Sequence, residues 1–429
     1  MTRMRRSVSF LILAMTGGVV FQVAYLRFLF LHDGAEALGL SLQQYGTVTS
    51  VFGAVAVVMY FVGGWFADRF SPKLLIVIAM AGTGVLDLYV STAPGYLAVL
   101  IVHVLFAVLG MGLYWSALVK SIGLLGSEGE QGRLFGFLEG IRGLTTTIIG
   151  LVGSVIVARA VVASTGVTTL IQIYGVLAIV LAVLVLFVVH QGKDQLDKAE
   201  RQSVGPRQLL RAAANKYTWL IGGSVMMMYC FYTLMGYLSP LLQDGFGVAA
   251  GMIGVIGVIR TYVFQFLAGP VGGILVDKYF GSTPRFLRVS FVIVGLTAVG
   301  YLVLPRQAGM LWIAVALMII MSLTVFAARG VFWSSVGELG IPVAQRGGVI
   351  GLASGLAYLP DAFLPAVASW WIGDPANGVP AQGGGFSAMF TVLILAAVIG
   401  MVLCTVTMRV HARESRDAAR EPEPELSST

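Results

Sequence analysis

The chain has 429 residues, 58% of them hydrophobic and only 11% charged, with a mean hydropathy of +0.90. Soluble globular chains carry about 25% charged residues, so too little polar surface exists here to cover a water-facing globule. The composition excludes a soluble enzyme or binding domain and indicates a polytopic membrane protein. The net charge of +7 does not imply a nucleic-acid partner, because cytoplasmic loops of membrane proteins concentrate Lys and Arg.

Crossing about 30 Å of hydrocarbon requires roughly 20 mostly apolar residues as a helix. Cutting the chain at polar or Gly/Pro-rich breaks predicts twelve spans: 8–31, 44–68, 74–92, 96–119, 133–162, 167–190, 217–240, 248–276, 287–305, 309–333, 347–372 and 386–408. Met1 to Arg6 look like the start of a signal peptide, but the apolar run continues to about Leu31 without a small-residue cleavage site, so it is predicted to stay as the first span. The hydrophilic stretch Gln191 to Lys216 separates six spans from six. The expected domains are an N-terminal bundle over 1–190, a linker over 191–216, a C-terminal bundle over 217–408 and a disordered Glu/Pro-containing tail over 409–429. Nearly all Lys and Arg fall in loops on one side, with only Arg159 and Arg306 near the other. By the positive-inside rule both termini and the linker are then cytoplasmic. Cys230 and Cys404 lie inside spans and read as small hydrophobes, and no metal or cofactor is expected.

The two halves resemble each other. Gly63-Gly64-Trp65-Phe66-Ala67-Asp68-Arg69 follows the second span and recurs after the eighth as Gly272-Gly273-Ile274-Leu275-Val276-Asp277-Lys278, a shift of 209 residues. Gly132, Gly136 and Gly140 match Gly347, Gly351 and Gly355 with a shift of 215, and Tyr114-Trp115-Ser116 matches Phe332-Trp333-Ser334 with a shift of 218. Glycines at four-residue spacing let helices approach closely, so Gly136, Gly140, Gly351 and Gly355 are expected to be packing residues.

Twelve spans in a six-plus-six repeat, with Gly-x-x-x-Asp-Arg/Lys after the second span of each half, resemble the major facilitator superfamily. The resemblance covers the whole chain and implies an all-α membrane fold of two six-helix bundles around a central cavity. It also implies transport by rocking one bundle against the other around a midplane site. In that reading Gly64, Asp68 and Arg69, with Gly273, Asp277 and Lys278, form the cytoplasmic gating motif. Asp68 would accept hydrogen bonds at a neighbouring helix N-terminus. Ser71 and Pro72 stand where the superfamily places Gly and Arg, so the first copy is incomplete.

Ionisable groups inside spans cost on the order of 3 kcal/mol at the helix centre and usually face a partner or a wet cavity. Those within the predicted limits are Arg27, Asp87, Glu139, Arg142, Arg260, Arg329 and Asp361, with His103 at the margin. Asp87 is expected at a peripheral helix contact, and His103 as an interior histidine bonded to its surroundings. The remaining cavity candidates are four arginines against two carboxylates, which leaves two positive charges over. A guanidinium fork suits carboxylate, phosphate, sulfonate or nitrate, so the missing partner reads as an anionic solute. Arg27, Arg142 and Arg260 are the expected substrate contacts, with Tyr25, Tyr229, Tyr232, Tyr237 and Tyr358 as hydrogen-bonding neighbours. Glu139 lies three residues from Arg142, on one helix face, and is expected to orient it as an ion pair. Arg329 can bind solute or close the gate with Glu338. Asp361 can carry a coupling proton or neutralise an arginine; Pro360 and Pro365 flank it and would interrupt the eleventh helix there.

Tyr25-Leu26-Arg27 resembles the first-helix signature of organophosphate and sugar-phosphate permeases. The run from Glu130 to Gly143, with Tyr358-Leu359-Pro360-Asp361, is similar to a bacterial branch of sugar-phosphate or nitrate/nitrite permeases. The seventh helix lacks the arginine of the phosphate antiporters and the second lacks that of the nitrate carriers, while the drug-antiporter signatures of the fourth and fifth helices are absent. The expected protein is therefore a monomeric secondary transporter of a small anion in a bacterial cytoplasmic membrane. It would be coupled to a proton, sodium or a counter-anion, with the lipid bilayer as its surroundings and no enzymatic role. A carrier of a neutral or zwitterionic solute, and a non-transporting sensor on the same fold, are the alternatives.

Overall fold

In lipid every backbone polar group must be satisfied within the protein, so long apolar segments fold as helices. A computed structural model describes residues 3–125, 131–189, 206–341, 343–373 and 379–418. Among these, eleven helices are long and apolar enough to cross a membrane, from Leu42–Tyr60 through Phe386–Asp417. They correspond to the second through twelfth predicted spans. The first span differs from the expected continuous helix over 8–31. It is a helix Arg3–Val19, an irregular turn, a single 3-10 turn at Leu26–Phe28 and a short helix Leu31–Ala37. The twelfth helix, Phe386–Ala418, continues past the expected end of the bundle, so residues 409–418 are helical rather than tail. Residues 419–429 lie outside the described residues, as does most of the linker, but Pro206–Ala214 forms a helix packed on the start of the eleventh span. Glu414 ties this region together by accepting from Tyr217 and pairing with Lys216.

Within the N-terminal bundle the first helix packs on the fifth and sixth, and the third on the sixth. Within the C-terminal bundle the seventh packs on the eleventh and twelfth, the eighth on the tenth, and the ninth on the twelfth. The most extensive contacts between the bundles join the second helix to the eleventh and the fifth to the eighth. Both contacts concentrate in the half of the molecule away from the termini. A Cβ placed on Gly46 would sit 2.3 Å from Ser369 Oγ, and one on Gly53 would sit 2.2 Å from the carbonyl oxygen of Asp361. Gly254 is comparably close to Phe30, and Gly257 abuts Leu29.

Gly140 and Gly351, expected to be packing residues, face open space, with nothing within 4 Å of where a methyl group would sit. The contacts that require a small residue lie instead at Gly46 and Gly53 between the bundles, at Gly84 against Gly175, and at Gly272 against Ala327. The bundles thus meet on the side away from the termini, and Gly140 and Gly351 of the duplicated four-residue repeat line space nearer the termini.

Replacing Gly53 by Val places two branches where the Asp361 carbonyl now sits, an overpacking that typically costs about 1–3 kcal/mol. The expected outcome is a wedge that separates the second and eleventh helices. Maleimide labelling of a cysteine introduced at Ser369 should rise severalfold over the same cysteine in the parent protein, and unchanged labelling would contradict the close packing.

Candidate functional site

Three of the helices nearest the midplane are interrupted. In the seventh span the helix Lys216–Met235 gives way at Gly236 and Tyr237 to Leu238–Phe246. Pro240 explains this, since its ring clashes with the carbonyl four residues back, at Gly236. In the eleventh span Val343–Ala357 ends and Pro360–Ile372 begins a new helix, at the interruption that Pro360 predicts. The break in the first span has no proline. One local and one tertiary contact hold it instead: Gln22 Nε2 donates to the Gly18 carbonyl at 2.6 Å, and the guanidinium of Arg260 donates to the freed carbonyl of Phe28.

Arg27 lies on the 3-10 turn of this break and Asp361 in the first turn of the second half of the eleventh span. Arg27 Nη2 donates to Asp361 Oδ1 at 2.7 Å, a buried ion pair that ties one bundle to the other. Asp361 has two further donors: Thr233 Oγ1 reaches Oδ1 and Tyr229 OH reaches Oδ2, each at 2.9 Å. The guanidinium lies 4.8 Å from the Phe28 ring centre and 5.6 Å from that of Tyr25, a favourable cation–π placement. Its Nε and Nη1 have no partner among the described residues. The sequence pattern assigns Arg27 to the solute; its observed protein partner is the carboxylate of the other bundle.

Arg260 sits in a π-helical turn, Ile259–Val263, and is 0% exposed. Besides the Phe28 carbonyl it donates through Nη1 to Ser239 Oγ at 3.1 Å, on the second half of the seventh span. It therefore joins the broken segments of the first and seventh spans in the half where the bundles meet, with neutral oxygens and no carboxylate partner among the described residues.

Arg329 is placed over Tyr232, its guanidinium carbon 4.0 Å from the ring centre, with Nη1 unpartnered. Glu338, its expected gate partner, instead accepts the backbone N–H of Thr283 at 2.7 Å and so caps the N-terminus of the ninth helix. Around Arg329 the tyrosines form a continuous set: Tyr232 and Tyr229 are 5.1 Å apart, Tyr229 and Tyr358 4.9 Å, and Tyr358 and Tyr60 5.5 Å between ring centres. Phe28 closes on Tyr232 at 5.1 Å. Tyr25 packs edge-on to Phe52 rather than joining this set directly. Sequence reasoning singles out Tyr229, Tyr232 and Tyr358 as hydrogen-bonding neighbours of a solute but misses Tyr60. Tyr60 comes from the half of the second helix nearer Arg69, where no charge marks it.

Arg142 and Glu139 form the anticipated pair, Nη1 to Oε1 at 2.8 Å, with Glu139 half exposed and Arg142 lying 5.3 Å from the Trp115 ring centre. Of the gating motif, Asp277 and Lys278 are exposed on a π-helical turn, Val276–Phe280, and Gly273 faces open space. Arg69 ends the second helix; the surroundings of Gly64 and the side chain of Asp68 lie outside what is described. Asp87 is buried where the third helix meets the sixth, and His103 Nδ1 lies 2.9 Å from the Val99 carbonyl.

Residues 7–365 match the family described as the Major Facilitator Superfamily. The inner membrane protein YqcE of Escherichia coli is 29% identical over 371 residues, covering 86% of this chain and 87% of that protein. A probable sulfoacetate transporter, SauU, of Cupriavidus necator is 25% identical over 357 residues, covering 75% and 76%. Among solved structures, a bacterial homologue of the human lysosomal transporter Spinster, in an inward-facing and unoccupied conformation, superposes with a TM-score of 0.72 at 15% identity over 99% of this chain and 100% of that one.

Removing one member of a buried ion pair leaves the other uncompensated, typically at a cost of about 3–5 kcal/mol, whereas replacing both by apolar groups is far milder. Asp361→Leu is expected to lower the thermal midpoint of the purified protein strongly, and Arg27→Met with Asp361→Leu to recover most of the loss. A double-mutant cycle by thermal unfolding should give a coupling above about 1 kcal/mol; additive losses would contradict the pairing.

Proposed function

The chain belongs to the major facilitator superfamily, and from that premise we propose that it is a secondary transporter carrying a small anionic solute by alternating access. The observation that carries the proposal is the imbalance of charge around the central site. Arg27 has Asp361 and Arg142 has Glu139, but Arg260 and Arg329 have no carboxylate partner among the described residues. Arg260 spends both terminal nitrogens on the closed half. Arg329 keeps a buried nitrogen unpartnered amid Tyr232, Tyr229, Tyr358 and Tyr60. An oxyanion at Arg329 would supply the missing charge, with the hydroxyls of Tyr232, Tyr358 and Tyr60 donating to its oxygens while Tyr229 stays on Asp361.

The side bearing the termini is taken as cytoplasmic on the Lys/Arg asymmetry, so this arrangement faces inward. The solute meets Arg142 and Arg329 from the open side. The pair between Arg27 and Asp361 belongs to both bundles and must break for the far side to open. A carboxylate, sulfonate or phosphate that bridges to the unpartnered nitrogens of Arg27 would compete with Asp361 and make that separation less costly. Asp361, held by Tyr229 and Thr233, would then keep hydrogen bonds after losing Arg27, and a proton arriving there would neutralise it. A relative named as a probable sulfoacetate transporter supports an organic oxyanion over an inorganic one.

Proteoliposomes containing the purified protein, offered labelled carboxylates, sulfonates, sugar phosphates, nitrate and neutral sugars, test this reading. A hydrogen bond to a charged group contributes about 1.5–3 kcal/mol, so Arg329→Gln should reduce uptake of the transported anion on the order of tenfold or more, with Arg329→Lys intermediate. Transport of a neutral solute, or undiminished uptake by Arg329→Gln, would refute it.

A further inference from the structure

The ninth and twelfth helices, Thr283–Val303 and Phe386–Ala418, pack along their lengths on the outside of the C-terminal bundle. Between them, on the terminal side, lies an open groove of about 520 Å³. Val289 and Val292 form one wall and Val402 and Val406 the other, all four exposed. Arg288 and Arg409 stand at its end. Neither arginine has a hydrogen-bond or carboxylate partner among the described residues, Arg288 being half-buried and Arg409 exposed. On the twelfth helix Val402, Val406, Arg409 and Arg413 fall at intervals of four, three and four, so a basic stripe continues the same face.

Depth identifies what this groove meets. At about 1.5 Å per residue, the stretch from Phe386 to Arg409 covers roughly the 30 Å thickness of a hydrocarbon core, which puts Arg409 at the polar edge. Arg288 lies near the start of the ninth helix on the same side. The four valines then point into the acyl region while two guanidinium forks sit at headgroup level. The groove faces away from the tyrosines and arginines of the central site, so it does not depend on which solute is carried.

We propose that this groove is a specific site for one anionic phospholipid. Its phosphate is held between Arg288 and Arg409, and an acyl chain lies along Val289, Val292, Val402 and Val406. Charge complementarity selects this occupant: two unpaired guanidinium groups favour a phosphate they can grip bidentately, and basic pockets between membrane helices are recognised headgroup sites. A zwitterionic lipid returns a positive charge to the pocket and fits it poorly.

Native mass spectrometry of the full-length protein, released from membranes of mixed phosphatidylglycerol and phosphatidylcholine, reads retained lipid directly. The parent protein is expected to keep one phosphatidylglycerol in preference to phosphatidylcholine. Arg288→Gln with Arg409→Gln should lower that occupancy about tenfold, whereas Arg159→Gln with Arg211→Gln, which removes the same charge from exposed positions on other helices, should leave it unchanged. Val402→Trp fills the acyl wall while keeping both arginines and should produce the same loss, which guards against misfolding of the arginine variant. Added inorganic phosphate should not displace the lipid. Equal retention of the two lipids, full occupancy in both Arg288→Gln/Arg409→Gln and Val402→Trp, or displacement by free phosphate would overturn the assignment.

Discussion

A charged pair taken out of water loses more in desolvation than its attraction returns unless additional hydrogen bonds satisfy it. The pair of Arg27 and Asp361 meets that condition on the carboxylate side, where Thr233 and Tyr229 add to the guanidinium. It does so by bringing together three interrupted helices, the first, seventh and eleventh, at one depth. Unbroken helices would present side chains only radially, whereas a break lets Arg27 project from a 3-10 turn toward a carboxylate in the first turn of a new helix. The geometry of the central site follows from placing these two charges together.

The closed half depends on the same arrangement. The carbonyl of Phe28, freed by the first break, is taken up by Arg260, which also holds Ser239 beside the seventh-span break. Gly53 permits the second helix to approach the carbonyl of Asp361 itself, which Pro365, four residues on, leaves without its helical donor. Polar groups released by irregular backbone are thus satisfied across the bundle interface, and that interface is what must separate in a rocking motion. On the other side, where Gly140 and Gly351 face open space, the bundles lack comparable contacts among the described residues.

Much of this was legible in the residues. Pro360 and Pro365 mark the break in the eleventh span, because proline removes a donor and clashes with the preceding turn wherever it occurs; the break in the seventh, four residues before Pro240, was not expected within the span predicted over 217–240. The pair of Glu139 and Arg142 follows from three-residue spacing on one helix. The break in the first span was not legible, because Phe21 to Tyr25 contain no residue that disfavours a helix; partners 232 and 334 residues away hold it open. The same limit applies to Glu338, whose hydrogen bond to the Thr283 N–H crosses between helices, and to the glycines. A four-residue glycine repeat shows that a helix has a small-residue stripe but not whether that stripe meets a neighbour or a cavity.

Composition and local periodicity were enough to establish the class of protein, the number and approximate limits of the spans, the internal duplication and the surplus of intramembrane arginine. The hydrocarbon slab enforces these properties segment by segment, so each can be read without knowing where any other segment lies. Which arginine is paired, and which is not, depends on how the helices come together. Arg27 and Arg142 find carboxylates, Arg260 is committed to neutral oxygens in the closed half, and Arg329 rests on a tyrosine ring with a nitrogen unpartnered. Pairing between charges on different helices depends on helix rotation, depth and breakage at once, and no spacing within a single chain segment encodes that combination.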